Sequence, residues 1–281
     1  MSKIYLCAIS NIQSGACGED CSYCAQSAKY QADIEKYSTK DINTILEEAK
    51  KAKENKAIGF CLVSSGKGLN AKRLDFVCRT ASEIKKLKLG LKIIACNGIA
   101  SKEDLLELKK SGVDNYNHNL ETSKEFYPKI CTSHSWEERL KTCLNVKEAG
   151  LGLVCGGIFG LGESVDDRIS LFKTLASLEP MNVPLNFYHP NPALPLKTNP
   201  LSQDEAFEII KLAKKMLPKA HKIMIAGGRE LMFGTRAMDT FKYGANAIVI
   251  GDYLTTKGAS AKQDIANILN AGYEIAKTCD T

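Results

Sequence analysis

Apolar and polar residues follow two alternating patterns along the whole chain. Short runs rich in β-branched residues are each followed by a stretch with helical apolar spacing and a charged outer face. The apolar runs predict eight strands, at residues 4–9, 58–63, 91–96, 115–120, 152–158, 183–188, 222–226 and 247–251. The other stretches predict eight helices, at residues 41–55, 71–89, 101–111, 135–149, 165–178, 202–217, 231–243 and 261–271. Ser101, three residues before Asp104, is typical of a helix start, and Gly112 and Gly150 are typical of helix ends.

Strict alternation of strand and helix predicts a parallel sheet covered by helices. Eight units fit closure into a (β/α)8 TIM-type barrel, an α/β fold, and 281 residues are enough for one such barrel. An open doubly wound sheet is the alternative. We expect a single domain over residues 1–281, because no long linker or change of composition divides the chain. Residues 189–200 contain four prolines and predict an ordered or lid-like loop after the sixth strand.

The charges of the chain are spread over its predicted helices. The net charge is +6, and no block of five like charges occurs, so we expect solvated helix faces and no nucleic-acid partner. No run approaches the roughly 18 apolar residues of a membrane helix, and the N-terminus lacks a signal-peptide pattern. These features predict a cytoplasmic protein with no membrane partner, in which thiols stay reduced.

Eleven cysteines are many for a chain of this kind. Their odd number and irregular spacing argue against a disulfide framework. In a reducing compartment, clustered cysteines are interpreted first as metal ligands, and single buried ones as small hydrophobic residues. Five lie away from the predicted C-terminal strand ends and are expected to be core or surface thiols: Cys7, Cys78, Cys131, Cys143 and Cys279.

Three cysteines lie close together in a loop after the first predicted strand, at residues 15–27. Cys17, Cys21 and Cys24 have the spacing C-x3-C-x2-C, which suits an iron–sulfur cluster or zinc. A structural zinc site needs four ligands, usually in two pairs, and the chain has no second C-x2-C pair. Three ligands leave one iron of a cluster open to an external ligand. A zinc site and three reduced thiols are the alternatives.

Other chemistry-bearing residues end predicted strands. They are Cys61, Cys96, Asn117, Asn119, Cys155, Asn186, Gly227 and Gly228. In a parallel barrel the C-terminal strand ends meet at one face, which carries the active site in enzymes of this fold. We therefore expect these residues to line a common site.

The cysteine loop, followed by a predicted barrel, resembles the radical S-adenosylmethionine superfamily. The resemblance implies that Cys17, Cys21 and Cys24 hold a [4Fe–4S] cluster, and that S-adenosylmethionine binds its open iron. It also implies that electron transfer breaks a carbon–sulfur bond of S-adenosylmethionine and generates a 5′-deoxyadenosyl radical. Tyr23 is then a candidate wall of the adenine pocket.

Four further segments resemble the biotin synthase family within this superfamily. They are residues 116–122 (YNHNLET), 155–163 (CGGIFGLGE), 226–230 (AGGRE) and 251–256 (GDYLTT). With the cysteine loop, the resemblance spans residues 15–256. It implies the insertion of sulfur into dethiobiotin to form biotin, with two molecules of S-adenosylmethionine consumed. It also implies a second, auxiliary iron–sulfur cluster deep in the barrel, which serves as the sulfur source.

The ligands of the auxiliary cluster depart from the usual family pattern. Cys61 and Cys155 match two of the family's ligand positions. Ile94 and Met224, however, stand where the family has a third cysteine and an arginine. Cys96 lies two residues beyond Ile94, on the same face of a strand, so we predict Cys61, Cys96 and Cys155 as the second triplet. Three thiolates favour a four-iron cluster over the usual [2Fe–2S] cluster, and a buried apolar thiol is the alternative for Cys96.

The resemblance also assigns residues to the S-adenosylmethionine pocket. It implies that Asn119 and Glu121 bind the ribose hydroxyls, although the family more often has Asp at the second position. Arg139 matches another pocket position, with an exposed helix charge as the alternative. Gly156 and Gly157 are expected to let the backbone approach the methionine end of the cofactor.

A separate set of residues is implied for dethiobiotin. Asn117 and Asn186 match positions that face the ureido ring, where an amide can both donate and accept hydrogen bonds. The alternative is that these buried asparagines tie strand ends together. Thr255 and Thr256 match residues near the substrate carboxylate. His118 follows Asn117 on a predicted strand, so we expect it to point away from the site.

These patterns together predict a sulfurtransferase of the biotin synthase type. The resemblance implies two further partners, a reducing electron donor of the flavodoxin or ferredoxin type and a second copy of the chain in a homodimer. The first alternative is another radical enzyme of the biotin-synthase-like group, such as a maturase or a rearrangement enzyme. An iron–sulfur electron carrier is the second, and it would need neither an open iron nor a pocket for a ribose diol.

Overall fold

Parallel strands close into a barrel in which the first strand pairs with the ninth. The computed structural model describes residues 2–253 and 258–279. Its strands are β1 (Lys3–Gln13), β2 (Gly59–Ser64), β3 (Lys92–Cys96), β4 (Asn115–Asn117), β5 (Gly152–Val154), β6 (Gly157–Phe159), β7 (Asn182–Phe187), β8 (Lys222–Ile225), β9 (Ala247–Ile250) and β10 (Glu274–Ile275). Neighbouring strands are parallel, and β1 closes the barrel by pairing with β9. The predicted (β/α)8 barrel is thereby confirmed, and the open sheet is wrong.

Helices cover the outside of the barrel. They are α1 (Ile42–Glu54), α2 (Ala71–Lys86), α3 (Lys102–Lys110), α4 (Trp136–Glu148), α5 (Val165–Leu178), α6 (Gln203–Met216), α7 (Arg229–Phe233) and α8 (Ala261–Asn270). Most begin at a capping side chain, and the predicted start at Ser101 is confirmed by a capping box with Asp104. Within the described ranges, no helix is both long enough and apolar enough to cross a membrane.

The fifth predicted strand is divided into β5 and β6. β5 pairs with β4 and reaches β7 only where Val154 lies opposite Asn182, whereas β6 pairs with β7. Cys155 and Gly156 lie between the two, and a Cβ on Gly156 would collide with the carbonyl oxygen of Pro184 in β7. The prediction of one continuous strand over 152–158 is therefore wrong, because two backbones approach each other here and only glycine permits it.

Two other elements differ from the sequence prediction. The helix predicted at 231–243 begins earlier, as the short α7, and continues as a 3-10 helix over Gly234–Phe241. Gly234 has a φ of +47°, which interrupts the α-helical hydrogen bonding at that point. β10 was not predicted, and it adds a short parallel partner to β1, with Lys3 opposite Glu274.

Side chains on the barrel strands alternate between two separate cores. On β2, Phe60 and Leu62 face the helices, whereas Cys61 and Val63 face the barrel interior. The same alternation places these residues in the interior: Tyr5, Cys7, Ile9, Ile94, Cys96, Val154, Met224, Ala226, Ala247 and Val249. The interior layer therefore collects residues from strands that are far apart in the sequence.

A buried ion pair joins α7 to α8. Arg229 is only 1% exposed, and its guanidinium donates to both carboxylate oxygens of Asp264, at 2.8 and 2.7 Å. Glu230 accepts another hydrogen bond from Arg229 at 2.8 Å, and the Tyr253 hydroxyl accepts one at 3.3 Å. Bidentate geometry and complete burial make this pair the fixed connection between the two helices.

Replacing Asp264 by Asn should destabilise the protein strongly. The buried guanidinium of Arg229 would lose its bidentate partner, and removing one member of a buried pair costs about 3–5 kcal/mol. Urea denaturation of the anaerobically purified protein measures this loss. The matched control is Glu47→Gln, which removes an exposed pair with Lys50 and should leave the unfolding midpoint unchanged. Equal midpoints for the two variants would contradict a stabilising role for the buried pair.

Candidate active site

The cysteine loop at residues 15–27 forms a hydrogen-bonded turn at the C-terminal end of β1. Cys17 donates its N–H to the carbonyl oxygen of Gln26 at 3.1 Å and accepts from Ala28 N at 2.7 Å. The N–H of Cys24 donates to the carbonyl oxygen of Cys21 at 3.0 Å. Burial raises the pKa of the Cys24 thiol to about 11, and the neighbouring Cys17 adds to the rise. The turn thus carries Cys17, Cys21 and Cys24 on one short hydrogen-bonded loop.

A carboxylate holds this loop against the segment that precedes α4. Asp20 accepts the backbone N–H groups of Thr132 and Ser133 at 3.0 Å each, as well as the Thr132 hydroxyl. Ser22 N donates to the carbonyl oxygen of Ile130 at 2.8 Å. Burial alone would raise the pKa of Asp20, but the hydrogen bonds outweigh it and lower that pKa well below its usual range. The loop is therefore held in place by an ionised side chain.

The proline-rich loop at residues 189–200 touches the cysteine loop. The N–H of Leu196 donates to the carbonyl oxygen of Ser22 at 3.3 Å, and the Tyr188 hydroxyl donates to the Leu196 carbonyl at 3.3 Å. Leu194, in the same loop, is buried in the main core. These contacts place the proline-rich loop over one side of the cysteine loop.

A fourth thiol adjoins the cysteine loop, and sequence analysis missed its position. Cys131 Sγ lies 3.6 Å from Cys21 Sγ and 3.4 Å from His134 Nδ1. The ligand atoms of these three residues lie within 4.8 Å of one another, and Glu19 Oε2 is 2.7 Å from His134 Nδ1. The hydrogen bond between the two thiols lowers the pKa of Cys131 and raises that of Cys21. The C-x2-H spacing of Cys131 and His134 was the signal available in the sequence.

Arg139 connects the predicted cofactor residues. Its Nε donates to the carbonyl oxygen of Asn119 at 2.6 Å, and its Nη2 donates to Glu121 Oε1 at 2.8 Å. The third guanidinium nitrogen, Nη1, is 3.2 Å from His134 Nε2. The Arg139 side chain is only 11% exposed, so the alternative of an exposed helix charge is wrong. Burial raises the pKa of Tyr23, and Glu121 adds to the rise.

Glu121 has one carboxylate oxygen in use and one without a protein partner. Oε1 pairs with Arg139, whereas Oε2 is buried and has no hydrogen bond among the described residues. Burial raises the pKa of Glu121, and Arg139 opposes the rise. The residue has a φ of +70° and its carbonyl oxygen accepts Ile158 N at 2.8 Å. An unpaired buried acceptor held this firmly is suited to a donor from a bound molecule.

The two glycines predicted to approach a cofactor are packed against the protein itself. A Cβ on Gly156 would collide with Pro184, and one on Gly157 would lie 2.6 Å from the carbonyl oxygen of Glu121. The N–H of Gly156 donates to Asn119 Oδ1 at 3.1 Å. Both glycines are therefore required by the close approach of backbones at the break between β5 and β6, and their expected role beside the cofactor stays a prediction.

The predicted substrate asparagines behave differently from each other. Asn186 donates to the carbonyl oxygen of Gly157 at 3.1 Å and accepts Gly227 N at 2.9 Å, so its amide ties strand ends together. Asn117 Oδ1 is buried and has no hydrogen-bond partner in the described part of the chain. His118 is buried, and burial lowers its pKa well below the usual value. Thr255 and Thr256 lie outside the described residues.

Two of the three predicted auxiliary-cluster cysteines meet inside the barrel. The pKa of Cys61 is raised well above its usual value, first by a hydrogen bond with Cys96 and then by burial. Both side chains belong to the same interior cluster. Cys155 is elsewhere, because its Sγ lies 3.7 Å from Cys143 Sγ in α4, within the outer core. Val154 faces inward, so the next residue must face outward, and the expected placement of Cys155 is corrected accordingly.

Cys7, expected from the sequence to be a core or surface thiol, faces the barrel interior. It packs against both interior clusters and contributes to the raised pKa of Cys61. Burial raises the pKa of Cys7 to about 12; Cys279 adds to this rise and Lys222 opposes it. The inward face of β1, with Tyr5, Cys7 and Ile9 at every second position, carried this signal in the sequence.

Replacing Asp20 by Ala should loosen the cysteine loop without unfolding the barrel. The loop would lose charge-assisted hydrogen bonds, so we expect hydrogen exchange at residues 17–25 to rise about tenfold, equivalent to ~1.4 kcal/mol of local stability. Hydrogen–deuterium exchange with mass spectrometry measures the change. The control is Asp75→Ala, which removes an exposed pair with Arg79 in α2. Unchanged exchange at residues 17–25 in the Asp20 variant would contradict the docking role.

Known proteins resemble this chain over its full length. The Radical SAM superfamily profile matches residues 11–175, and the Biotin and Thiamin Synthesis associated domain matches residues 184–274. Among curated relatives, the biotin synthase of Aliarcobacter butzleri (strain RM4018) is 62% identical, with 99% of this chain and 98% of the relative covered. The biotin synthase of a Nitratiruptor species is 58% identical, with 99% of each chain covered.

Solved structures with low sequence identity share the fold. Methylornithine synthase (PylB) superposes with a TM-score of 0.83 at 19% identity, covering 98% of this chain and 84% of that one. The FeFe-hydrogenase maturase HydG from Carboxydothermus hydrogenoformans gives a TM-score of 0.83 at 17% identity, covering 96% and 67%. These proteins thus share the barrel fold with the chain, whereas the relatives that are more than half identical over the whole length are biotin synthases. The chain belongs to the biotin synthase family of the radical SAM superfamily.

Proposed function

We propose that this chain catalyses the insertion of sulfur into dethiobiotin to form biotin, with S-adenosylmethionine as the radical source. The observation that carries the proposal is the 62% identity to a curated biotin synthase over 99% of the chain. The geometry supports it, because the cysteine loop follows β1 and Arg139 contacts residues that follow β4, at the C-terminal face of a barrel whose interior contains thiols. The resemblance to maturases is at the level of the fold and favours no second function.

The radical SAM superfamily implies a [4Fe–4S] cluster and S-adenosylmethionine. Cys17, Cys21 and Cys24 are suited to hold the cluster, because one hydrogen-bonded turn carries all three thiols. Cys131, whose Sγ lies 3.6 Å from Cys21 Sγ, is outside this motif. When bound, the reduced cluster supplies the electron that cleaves S-adenosylmethionine and begins hydrogen abstraction from the substrate. The chain contributes binding, orientation and exclusion of water.

Glu121 and Arg139 are suited to hold the nucleoside part of S-adenosylmethionine. The unpaired Glu121 Oε2 can accept a ribose hydroxyl, while the bond from Arg139 to Oε1 fixes the carboxylate in place. Asn119 is fixed through its carbonyl and Oδ1, which leaves its amide N–H groups to donate to the same diol. Tyr23, in the cysteine loop, is assigned to the wall of the adenine pocket on the family resemblance.

Asn117 is the better supported of the two substrate asparagines. Its buried Oδ1 has no partner in the described residues and can accept a ureido N–H of dethiobiotin. The amide of Asn186 forms hydrogen bonds with backbone groups of Gly157 and Gly227, so its contribution is to hold the wall of the pocket. Thr255 and Thr256 stay assigned to the substrate carboxylate on the family resemblance alone.

Inside the barrel, Cys61 and Cys96 are proposed ligands of an auxiliary iron–sulfur cluster that donates the sulfur. Their packing in one interior cluster supports this role, and the cluster type is either [2Fe–2S] or four-iron. A reducing electron donor of the flavodoxin or ferredoxin type would deliver electrons to the cluster of the cysteine loop. We further propose a cytoplasmic homodimer, in keeping with the family resemblance.

Anaerobic incubation with dethiobiotin, S-adenosylmethionine and a strong reductant should yield biotin, methionine and 5′-deoxyadenosine. Mass spectrometry quantifies all three, and two 5′-deoxyadenosines per biotin are expected, because one hydrogen atom is removed for each new carbon–sulfur bond. The Cys24→Ala variant should yield none of the products, since one cluster ligand is missing. Cleavage of S-adenosylmethionine by the unchanged protein, with dethiobiotin left unconverted, would overturn the proposed function.

Replacing Glu121 by Gln should weaken the binding of S-adenosylmethionine. Loss of a hydrogen bond to a charged group is worth about 1.5–3 kcal/mol, so Kd should rise roughly 10- to 100-fold. Equilibrium dialysis with the cluster-loaded protein measures Kd directly. The control is Glu137→Gln on α4. The Glu137 carboxylate forms an exposed ion pair with Lys124, so this variant should leave Kd unchanged. Equal affinity in the two variants would remove Glu121 from the pocket.

A further inference from the structure

The barrel interior holds a group of three thiols that differs from the triplet expected from the sequence. Cys7 on β1, Cys61 on β2 and Cys96 on β3 all pack in one interior cluster. Cys61 lies opposite Ile94 and Val63 lies opposite Cys96, so the Cys61 and Cys96 side chains are diagonal neighbours on the inward face. Because β1, β2 and β3 are consecutive in the barrel, the three sulfur atoms project from adjacent strands.

The space beside Cys7 is created by a glycine on the neighbouring strand. Cys7 lies opposite Gly59, and Ile9 lies opposite Cys61, so Cys7 is the diagonal neighbour of Cys61 on the same inward face. A Cβ on Gly59 would lie 3.2 Å from Cys7 Sγ and 3.1 Å from Ile94 Cδ1. Because Gly59 has no side chain, the Cys7 sulfur has room in the interior layer of the barrel.

Cys155 is held away from this group by its backbone. Its N–H donates to the carbonyl oxygen of Asn182 at 3.1 Å, and its Sγ lies 3.7 Å from Cys143 on α4. To enter the barrel, Cys155 would have to exchange places with Val154, which faces inward. Such a rotation would break the ladder between β5 and β7.

A buried cation lies in the same interior. Lys222 on β8 is 5% exposed, and its Nζ lies 4.5 Å from the ring centroid of Tyr5, which shares the inward face of β1 with Cys7. No ion pair in the described part of the chain includes Lys222. It stands two residues before Met224 on the same strand, so both face inward. A buried ammonium without a carboxylate partner is suited to an anionic group in the interior, because buried charges require compensation.

We propose that Cys7, Cys61 and Cys96 are the thiolate ligands of the auxiliary iron–sulfur cluster, that Cys155 is not a ligand, and that Lys222 balances the charge of the cluster. The proposal rests on the proposed function for the presence of an auxiliary cluster, and it assigns the cluster a different third ligand. Three thiolates and a lysine ammonium take the place of the family's usual three cysteines and arginine.

The experiment measures iron and sulfide in a background that lacks the first cluster. Cys17, Cys21 and Cys24 are all replaced by Ala, so that after anaerobic reconstitution the bound iron reports the interior site. Three variants are added singly to this background: Cys7→Ala, Cys155→Ala and the outer-helix control Cys78→Ala. We expect the first to lose at least half of the iron and sulfide per chain, with matching loss in the Mössbauer spectrum. The other two should retain both.

Full iron content in the Cys7→Ala variant would overturn the proposal, as would a background protein that binds no iron. Circular dichroism checks that each variant is folded. If Cys7→Ala fails that check, Cys7→Ser decides the matter, because an oxygen ligand should change the Mössbauer parameters of one iron site while retaining the cluster. An unchanged spectrum in the Ser variant would exclude Cys7 as a ligand.

The role of Lys222 is tested by measuring the reduction potential of the cluster and not by measuring the iron content of the protein. In the same background, Lys222→Met should shift the reduction potential to more negative values, since a buried positive charge favours the reduced state. The control is the exposed Lys219→Met, which should leave the potential unchanged. Equal potentials would remove Lys222 from the proposal.

Failure of the proposed function is distinguishable, because it appears as absent biotin formation in the unaltered protein, whatever the iron measurements give.

Discussion

Strand alternation inside a closed barrel is the constraint on which the rest of this structure depends. Each barrel residue faces either the helices or the interior, so a shift of one position moves a side chain from one compartment to the other. Phe60 and Cys61 are neighbours in sequence but belong to different cores. Val154 and Cys155 are separated in the same way. The set of thiols that can meet in the interior is therefore decided by register and not by closeness in the sequence.

A second requirement, compensation of buried charge, organises the mouth of the barrel. Arg139 bridges the end of β4 and the segment before α4, through Asn119, Glu121 and His134. Removing a partner from a buried guanidinium costs folding free energy. The contacts with Arg139 therefore fix the positions of these three groups. Because the cysteine loop docks on the same segment through Asp20, the cluster loop and the carboxylate proposed to bind ribose are fixed relative to each other.

The sequence was sufficient for the features that local patterns determine. Periodicity predicted the eight barrel units, and spacing predicted the cysteine loop, because both depend on residues close in the chain. The break at Gly156 depends on Pro184, and the position of Cys131 depends on Cys21, which is 110 residues away. Such contacts have no local signature. Cys7 was missed for a different reason: its inward position on β1 followed from alternation, but it lies far from the C-terminal strand end, where site residues were expected.

The departures from the family pattern follow the same period of two. Ile94 stands where the family resemblance implies a cysteine, and Cys96 has a thiol two residues later on the same inward face. Met224 stands where the resemblance implies an arginine, and Lys222 has an amino group two residues earlier on its strand. A displacement by two keeps each group inside the barrel but moves it along the axis, so the cavity keeps its charge and its thiol content while their depth changes. On this view, the outward-facing Cys155 is matched by an inward-facing thiol on another strand, and Cys7 is the residue of β1 that meets this requirement.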